Sequence, residues 1–141
     1  MHKIVLDTNV IISGMIMDHN APFEILKAFE KGKLALIVSE PILEEVNRVL
    51  NYPRIKEKRH LSQQKIHRIM KALKTYGVIT PAKLKIDAVP QDPEDNKFIC
   101  AAIEGKAEYI VSGDRHLTEL VSYHGIRIVS PSEFVQIAEL D

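Results

Sequence analysis

The sequence predicts an α/β fold: one domain over residues 1–141, built in three layers (α/β/α) around a central parallel sheet of four to five strands. Two observations predict it. Short apolar, β-branched segments alternate with segments of helical period, and the strand segments are apolar throughout rather than on alternate residues, as in a parallel sheet covered on both faces. In addition, 141 residues with 45% hydrophobic and 27% charged side chains suffice for one buried core. There is no repeat, linker or low-complexity tract.

Taken in order, KIVL reads as the first strand and TNVIISGMIM as the helix after it. PFEILKAFEKG spaces Phe23, Ile25, Leu26 and Phe29 helically, with Pro22 near its start and Gly32 past its end. LALIVS is a second strand. EPILEEVNRVLNYP is a helix stopped before Pro53. SQQKIHRIMKALKTYG follows: Ser62 caps it, Ile66, Ile69, Met70 and Leu73 form its apolar stripe, and Gly77 closes it. VIT is a short strand. DPEDNKFICAAIEGK starts a helix with Asp92 and Pro93 in cap and first-turn positions, Asp92 being the better capper, and leaves it at Gly105. EYIVSG is a strand, HLTELVSYHG a helix, IRIVS a strand and PSEFVQIAEL the last helix.

Several function classes fall away. No apolar run approaches the ~18–20 residues of a membrane span, and the opening MHKIVLDTNV lacks the build of a secretory leader. The single cysteine, Cys100, excludes an internal disulfide framework, and in FICAAI it reads as a buried, inert thiol. A reducing cytoplasm is the expected location. No GxGxxG follows the first strand, so dinucleotide binding is excluded.

Formal net charge is zero, but its distribution is uneven. Arg48 to Lys85 holds eleven Lys/Arg against one acid, Glu57, while the remainder holds eight Lys/Arg against eighteen acids. Such asymmetry points to a polyanionic partner, with a solvated helical face as the plain alternative. Arg54, Lys56, Lys58 and Arg59, together with Arg115, are the residues expected to grip a nucleic-acid backbone.

Ligands of open parallel sheets bind beyond the carboxyl ends of the strands. Asp7 follows the first strand and Asp114 follows YIVSG, so both occupy that edge. Asp92 and Asp95 open a helix running from the same edge. The fourth acid is Glu45 or Glu44. At ~100° per residue, Glu45 lies roughly 100° from the centre of the apolar stripe and Glu44 roughly 160°. Glu45 can reach a cleft; Glu44 faces water. Each acid also has a structural alternative: turn residue, helix cap or plain surface.

Carboxylates converging in a cleft repel one another, and burial raises their pKa values. No lysine adjoins any of the four in sequence. A hard divalent cation with oxygen ligands, Mg2+ or Mn2+, resolves the conflict and can neutralise charge on a scissile phosphate. The six histidines form no HxxxH pair, which disfavours zinc.

VLDTNVIISG, SEPILEEVNRVL, DPEDNKFICAA and YIVSGDRHL together resemble the PIN-domain ribonucleases in order, spacing and flanking pattern, essentially end to end. The DTN opening and the strand–SGD–helix element are the specific parts. Within that family the chain looks most like toxin components of toxin–antitoxin pairs, of the VapC type. The resemblance implies a PIN-like fold and Asp7, Glu45, Asp95 and Asp114 as a catalytic, metal-binding quartet, with Asp92 as an auxiliary ligand. It implies Thr8 and Ser112 as hydroxyls that orient carboxylates, and Asn9 and Asn96 as supporting polar residues. It also implies RNA cleavage with Mg2+ or Mn2+, a small antitoxin protein as partner, and a homodimer.

Two other readings stay open. A non-catalytic module binding nucleic acid or a protein partner would bind RNA without cleaving it in Mn2+. An aspartyl phosphatase of the haloacid-dehalogenase sort would want an acid two residues past Asp7, where the chain has Asn9.

Overall fold

The computed structural model describes residues 1–57, 59–89 and 92–140. Its sheet is built from β1 (Lys3–Leu6), β2 (Ala35–Ser39), β3 (Val78–Thr80), β4 (Tyr109–Val111), β5 (Ser122–Tyr123) and β6 (Ile126–Val129), in the order β3-β2-β1-β4-β6-β5. Every pairing is parallel except β5 with β6. Five parallel strands are therefore those read from the sequence. The sixth is the two-residue β5.

The helices are α1 (Thr8–Ile16), α2 (Ala21–Glu30), α3 (Glu40–Leu50), α4 (Pro53–Lys56), α5 (Gln63–Tyr76), α6 (Asn96–Gly105), α7 (Arg115–Thr118) and α8 (Pro131–Ile137). Their starts follow local chemistry. Asn20 Oδ1 accepts from Phe23 N at 2.8 Å, Ser62 Oγ from Lys65 N at 3.1 Å, and Ser130 and Glu133 form a reciprocal capping box. None of them is long and apolar enough to cross a membrane.

The core runs through the sheet. Ile4, Val5, Leu36, Ile110 and Val111 are fully buried, as are Ile11, Val46, Leu73 and Ile99 on the helices. Each such aliphatic side chain contributes about 1.5–3 kcal/mol by leaving water. Helix α6 packs across β1, β2, β3 and β4. It comes close because residue 105 is glycine: a Cβ there would stand 2.7 Å from the Ile37 side chain.

Three local readings change. The helix read over 116–125 stops at Thr118, and the chain turns back as a hairpin whose two-residue loop, His124 and Gly125, has φ of 50° and 82°. Left-handed residues at both loop positions match the right-handed twist of the strands, so turn chemistry prevails over helical period here. Pro53 opens α4 instead of merely ending the preceding helix. Finally, Asp92 holds the N-cap position with Pro93 next to it, as read, but it precedes a single 3-10 turn, Pro93–Asp95, ahead of α6, and its side chain makes no capping bond. It is thereby left available to the cleft.

What matters for function is where the chain reverses. From β1 it proceeds outward to β2 and β3; β4 returns to the other side of β1. The carboxyl ends of β1 and β4 are thus adjacent at the switch point of the sheet, the usual place for a ligand crevice. Leu6 pairs with Val111, and Asp7 N donates to Val111 O at 3.1 Å. That register sets Asp7 beside Ser112.

Candidate metal centre

A cleft of about 200 Å3 opens at this switch point, lined by Asp7, Glu45, Asp92, Asp95 and Asp114 with Thr8, Asn9 and Glu94. The acids divide by what their oxygens touch.

Asp7, 4% exposed, is the N-cap of α1: Oδ1 accepts from Val10 N at 2.9 Å and Oδ2 accepts from Ser112 Oγ. Burial raises its pKa, the Ser112 and Val10 hydrogen bonds oppose that rise, and the charges of Asp114 and Glu45 add to it. Ser112 Oγ also accepts from Asp114 N at 2.9 Å, so one hydroxyl ties the ends of β1 and β4 together. Glu45, on the flank of α3, accepts from Thr8 Oγ1 on one oxygen and from Lys97 Nζ on the other at 2.7 Å. Glu44 lines a separate groove between α3 and α5.

Asp92, Asp95 and Asp114 form the second group. One oxygen from each lies within 4.8 Å of the others. Asp95 is 9% exposed, and its Oδ2 is buried with no partner among the described residues. Burial, hydrogen bonding to Asp114, and the charges of Asp114, Asp92 and Asp7, in that order, push its pKa up to about 7. Asp114 spends Oδ1 on His116 N at 2.8 Å, as N-cap of α7. A buried carboxylate oxygen left unpaired within an all-oxygen set fits a hard divalent cation, which would both satisfy it and cancel the repulsion.

The other residues singled out from the sequence fall as follows. Asn9 is exposed on the rim. Asn96 does not touch the carboxylates: its Oδ1 accepts from Ala88 N and Val89 N, both at 2.9 Å, and so pins the segment that leads into Asp92. Glu104 accepts from the backbone N–H groups of Ala82, Lys83 and Leu84, fastening the same strap further back. Arg54 and Arg59 are exposed around α4, whereas half-buried Lys56 braces the helices by donating to Gln63 Oε1. Lys58 lies outside the described residues. Arg115 follows Asp114 and pairs with Glu119 at 3.3 Å while remaining largely exposed. Cys100 is buried, and burial pushes its thiol up, consistent with an inert role.

Sequence reasoning missed Lys97. It stands two residues past Asp95, yet α6 carries its ammonium across to Glu45, 52 positions away. The signal available was its place in the first turn of α6, three residues after Glu94, which it also meets at 3.3 Å.

The acids gathered at the switch point of this mostly parallel sheet could hold a metal ion. The PIN domain matches residues 3–116, and the chain belongs to that family, whose members are generally nucleases. It is also 30% identical over 143 residues to the uncharacterized protein MJ1680 of Methanocaldococcus jannaschii, a match spanning 95% of this chain and 90% of that protein.

Proposed function

We propose that the chain is an endoribonuclease that hydrolyses RNA phosphodiester bonds with Mg2+ or Mn2+. In this reading it is the cytoplasmic toxin of a toxin–antitoxin pair, a homodimer silenced by a small antitoxin protein. The observation that carries the nuclease reading is the open set of Asp92, Asp95 and Asp114, with an unpartnered Asp95 oxygen, at the switch point of a PIN-domain sheet. RNA as substrate, and the toxin role, rest on the resemblance of the DTN and SGD elements to toxin-type members.

Asp92, Asp95 and Asp114, with Asp7 and Glu45 in the same cleft, would hold the cation, and it would supply Lewis-acid neutralisation of phosphate charge. The chain's own residues do the rest. Asp7 stiffens the centre by joining α1 to β4 through Ser112. Asn96 fixes the approach to Asp92. Arg115, next to Asp114 in the chain, and exposed Arg54 and Arg59 would give sequence-independent attraction to the backbone.

Purified protein should cut single-stranded RNA in Mg2+ or Mn2+ and stop in EDTA. Undiminished cutting in EDTA would overturn the reading. Induced expression should arrest growth, and Asp95→Asn should relieve the arrest; continued arrest would overturn the toxin role.

A further inference from the structure

Helix α5 carries four basic residues, Lys65, Arg68, Lys71 and Lys74, and no acid. All four are exposed, while Ile66, Ile69, Met70 and Leu73 bury the other side of the helix. At ~100° per residue, Arg68 and Lys71 lie roughly 150° from the centre of that apolar stripe, and Lys65 and Lys74 roughly 90° from it on opposite flanks. The cations therefore run as one diagonal ridge across the solvent face, with successive members ~4.5 Å apart along the axis. The ion pairs among the described residues, His2–Glu108, Lys97–Glu45, Lys97–Glu94 and Arg115–Glu119, include none of them. Acids approach only from the sides: Asp18 and Glu30 border a cavity with Lys65 and Arg68, and Glu40 and Glu44 border one with Lys74.

This arrangement costs the helix stability. Like charges one turn apart repel on a helix surface, and Lys65–Arg68, Arg68–Lys71 and Lys71–Lys74 are consecutive pairs with no acid between them. Lys65 also stands in the first turn, where the positive end of the helix dipole disfavours a cation. A polyanion laid on the ridge offsets both effects. Between the cations the crest holds exposed Gln64 and Thr75 and no large apolar side chain, so it lacks the apolar centre a protein partner would bury. Phosphate contacts need charge alone and stay hydrated. The ridge is also near the cleft: α5 packs on α3, the helix that carries Glu45, and packed helices lie ~8–10 Å apart. We infer that the outer face of α5 is a nucleic-acid interface, on which Lys65, Arg68, Lys71 and Lys74 grip the phosphate backbone of RNA flanking the cleft. The inference rests on the RNA reading above and deepens it by assigning the grip to a helix face beyond Arg54, Arg59 and Arg115.

The experiment is fluorescence anisotropy of a labelled single-stranded RNA of about 20 nucleotides, longer than a typical single-strand site. The full chain is titrated in EDTA, so that binding is read without cleavage, at KCl concentrations between about 50 and 200 mM. Arg68→Gln/Lys71→Gln/Lys74→Gln should raise Kd about tenfold or more at the low-salt end. It should also flatten the slope of log Kd against log[KCl] by about 2, roughly 0.7 per lost phosphate contact. Lys3→Gln/Lys31→Gln/Lys33→Gln removes the same charge from exposed residues at the amino edge of the sheet, and should leave Kd within about threefold of wild type. An unchanged slope in the α5 variant, or an equal change in the amino-edge variant, would overturn the inference. So would competition by poly-glutamate as strong as that by unlabelled RNA, which would make the ridge a protein-docking face. Glutamine suits a helix, and relief of the repulsion should keep the Tm of the α5 variant at or above that of wild type. Should it fail to fold, Arg68→Gln/Lys71→Gln decides, with a slope change of about 1.4 expected and no change counting against the ridge. Failure of the underlying reading looks different: wild type would then bind no RNA, in EDTA or as slowly cut phosphorothioate RNA in Mn2+, and the α5 assignment would fall with it.

Discussion

Asp7 and Asp95 are acids of the same type, at the same edge of one sheet, and nearly equally buried at 4% and 9% exposure. Their surroundings differ. Asp7 receives a backbone N–H and a serine hydroxyl, one bond per oxygen. Asp95 leaves Oδ2 without a partner among the described residues and stands against Asp114, whose hydrogen bonding and charge push its pKa up. The contrast teaches that burial alone does not mark a ligand. A buried carboxylate whose oxygens each accept one hydrogen bond is held rigidly and keeps lone pairs for a cation, while one left unsatisfied among other acids stores repulsion that a cation relieves.

The largest effect expected from this contrast is on binding and cleavage. Asp95→Asn should lower RNA cleavage by about 10^3-fold or more, in the range typical of lost electrostatic stabilisation. It should also abolish calorimetric Mn2+ binding while leaving the metal-free protein at least as stable as wild type. Asp7→Ala should instead lower the Tm of the metal-free protein by several degrees, since losing an N-cap costs about 1 kcal/mol. If Asp95→Asn unfolds the metal-free protein and Asp7→Ala does not, the two roles are reversed.

A smaller effect separates the neighbouring glutamates. Glu45→Gln frees Lys97 and should reduce turnover by about 10–100-fold. Glu44→Gln, in its separate groove, should stay within twofold of wild type in the same assay. Equal effects would mean that the α3 flank does not discriminate between them.

A further effect is on stability against pH. The Asp95 pKa is raised from an unfolded value of 3.8 to about 7, so the folded protein keeps a proton that the unfolded chain gives up. The stability contribution is complete below pH ~4 and is lost as pH rises to ~7, by roughly 1–3 kcal/mol. Melting curves of metal-free wild type should therefore fall over that window relative to those of Asp95→Asn. Saturating Mn2+ should reverse the trend, because the cation competes with the proton. Parallel curves for wild type and Asp95→Asn would show that Asp95 ionises normally.

Much of this arrangement is written in local sequence. The strands after which Asp7 and Asp114 stand are apolar runs ended by DTN and SGD, and parallel register brings their ends together whatever the helices do. The helical phase of Ile42, Val46 and Leu50 sets Glu45 on the flank of α3 and Glu44 away from it, because 3.6 residues per turn leave no other choice. Asp92 shows the limit. Read as a cap before Pro93, it belongs to a 3-10 turn in which its carboxylate caps nothing, since backbone angles of φ −146° and ψ 82° turn it elsewhere. The HLTELVSYHG segment fails for a related reason: one left-handed turn at His124 and Gly125 outweighs a short and weak helical pattern.

The sequence by itself determined the layered sheet, its switch point and the acids there, because period and covalent adjacency act over a few residues. Only the tertiary structure decided which acids stay open. The Lys97 bond to Glu45, the Asn96 bonds to Ala88 and Val89, and the Ser112 bond to Asp7 depend on how side chains from different elements meet. Packing of α3 against α6 and of β4 against β1 sets those meetings. Hydrogen-bond partners are chosen within about 3 Å, a distance that no spacing along the chain encodes.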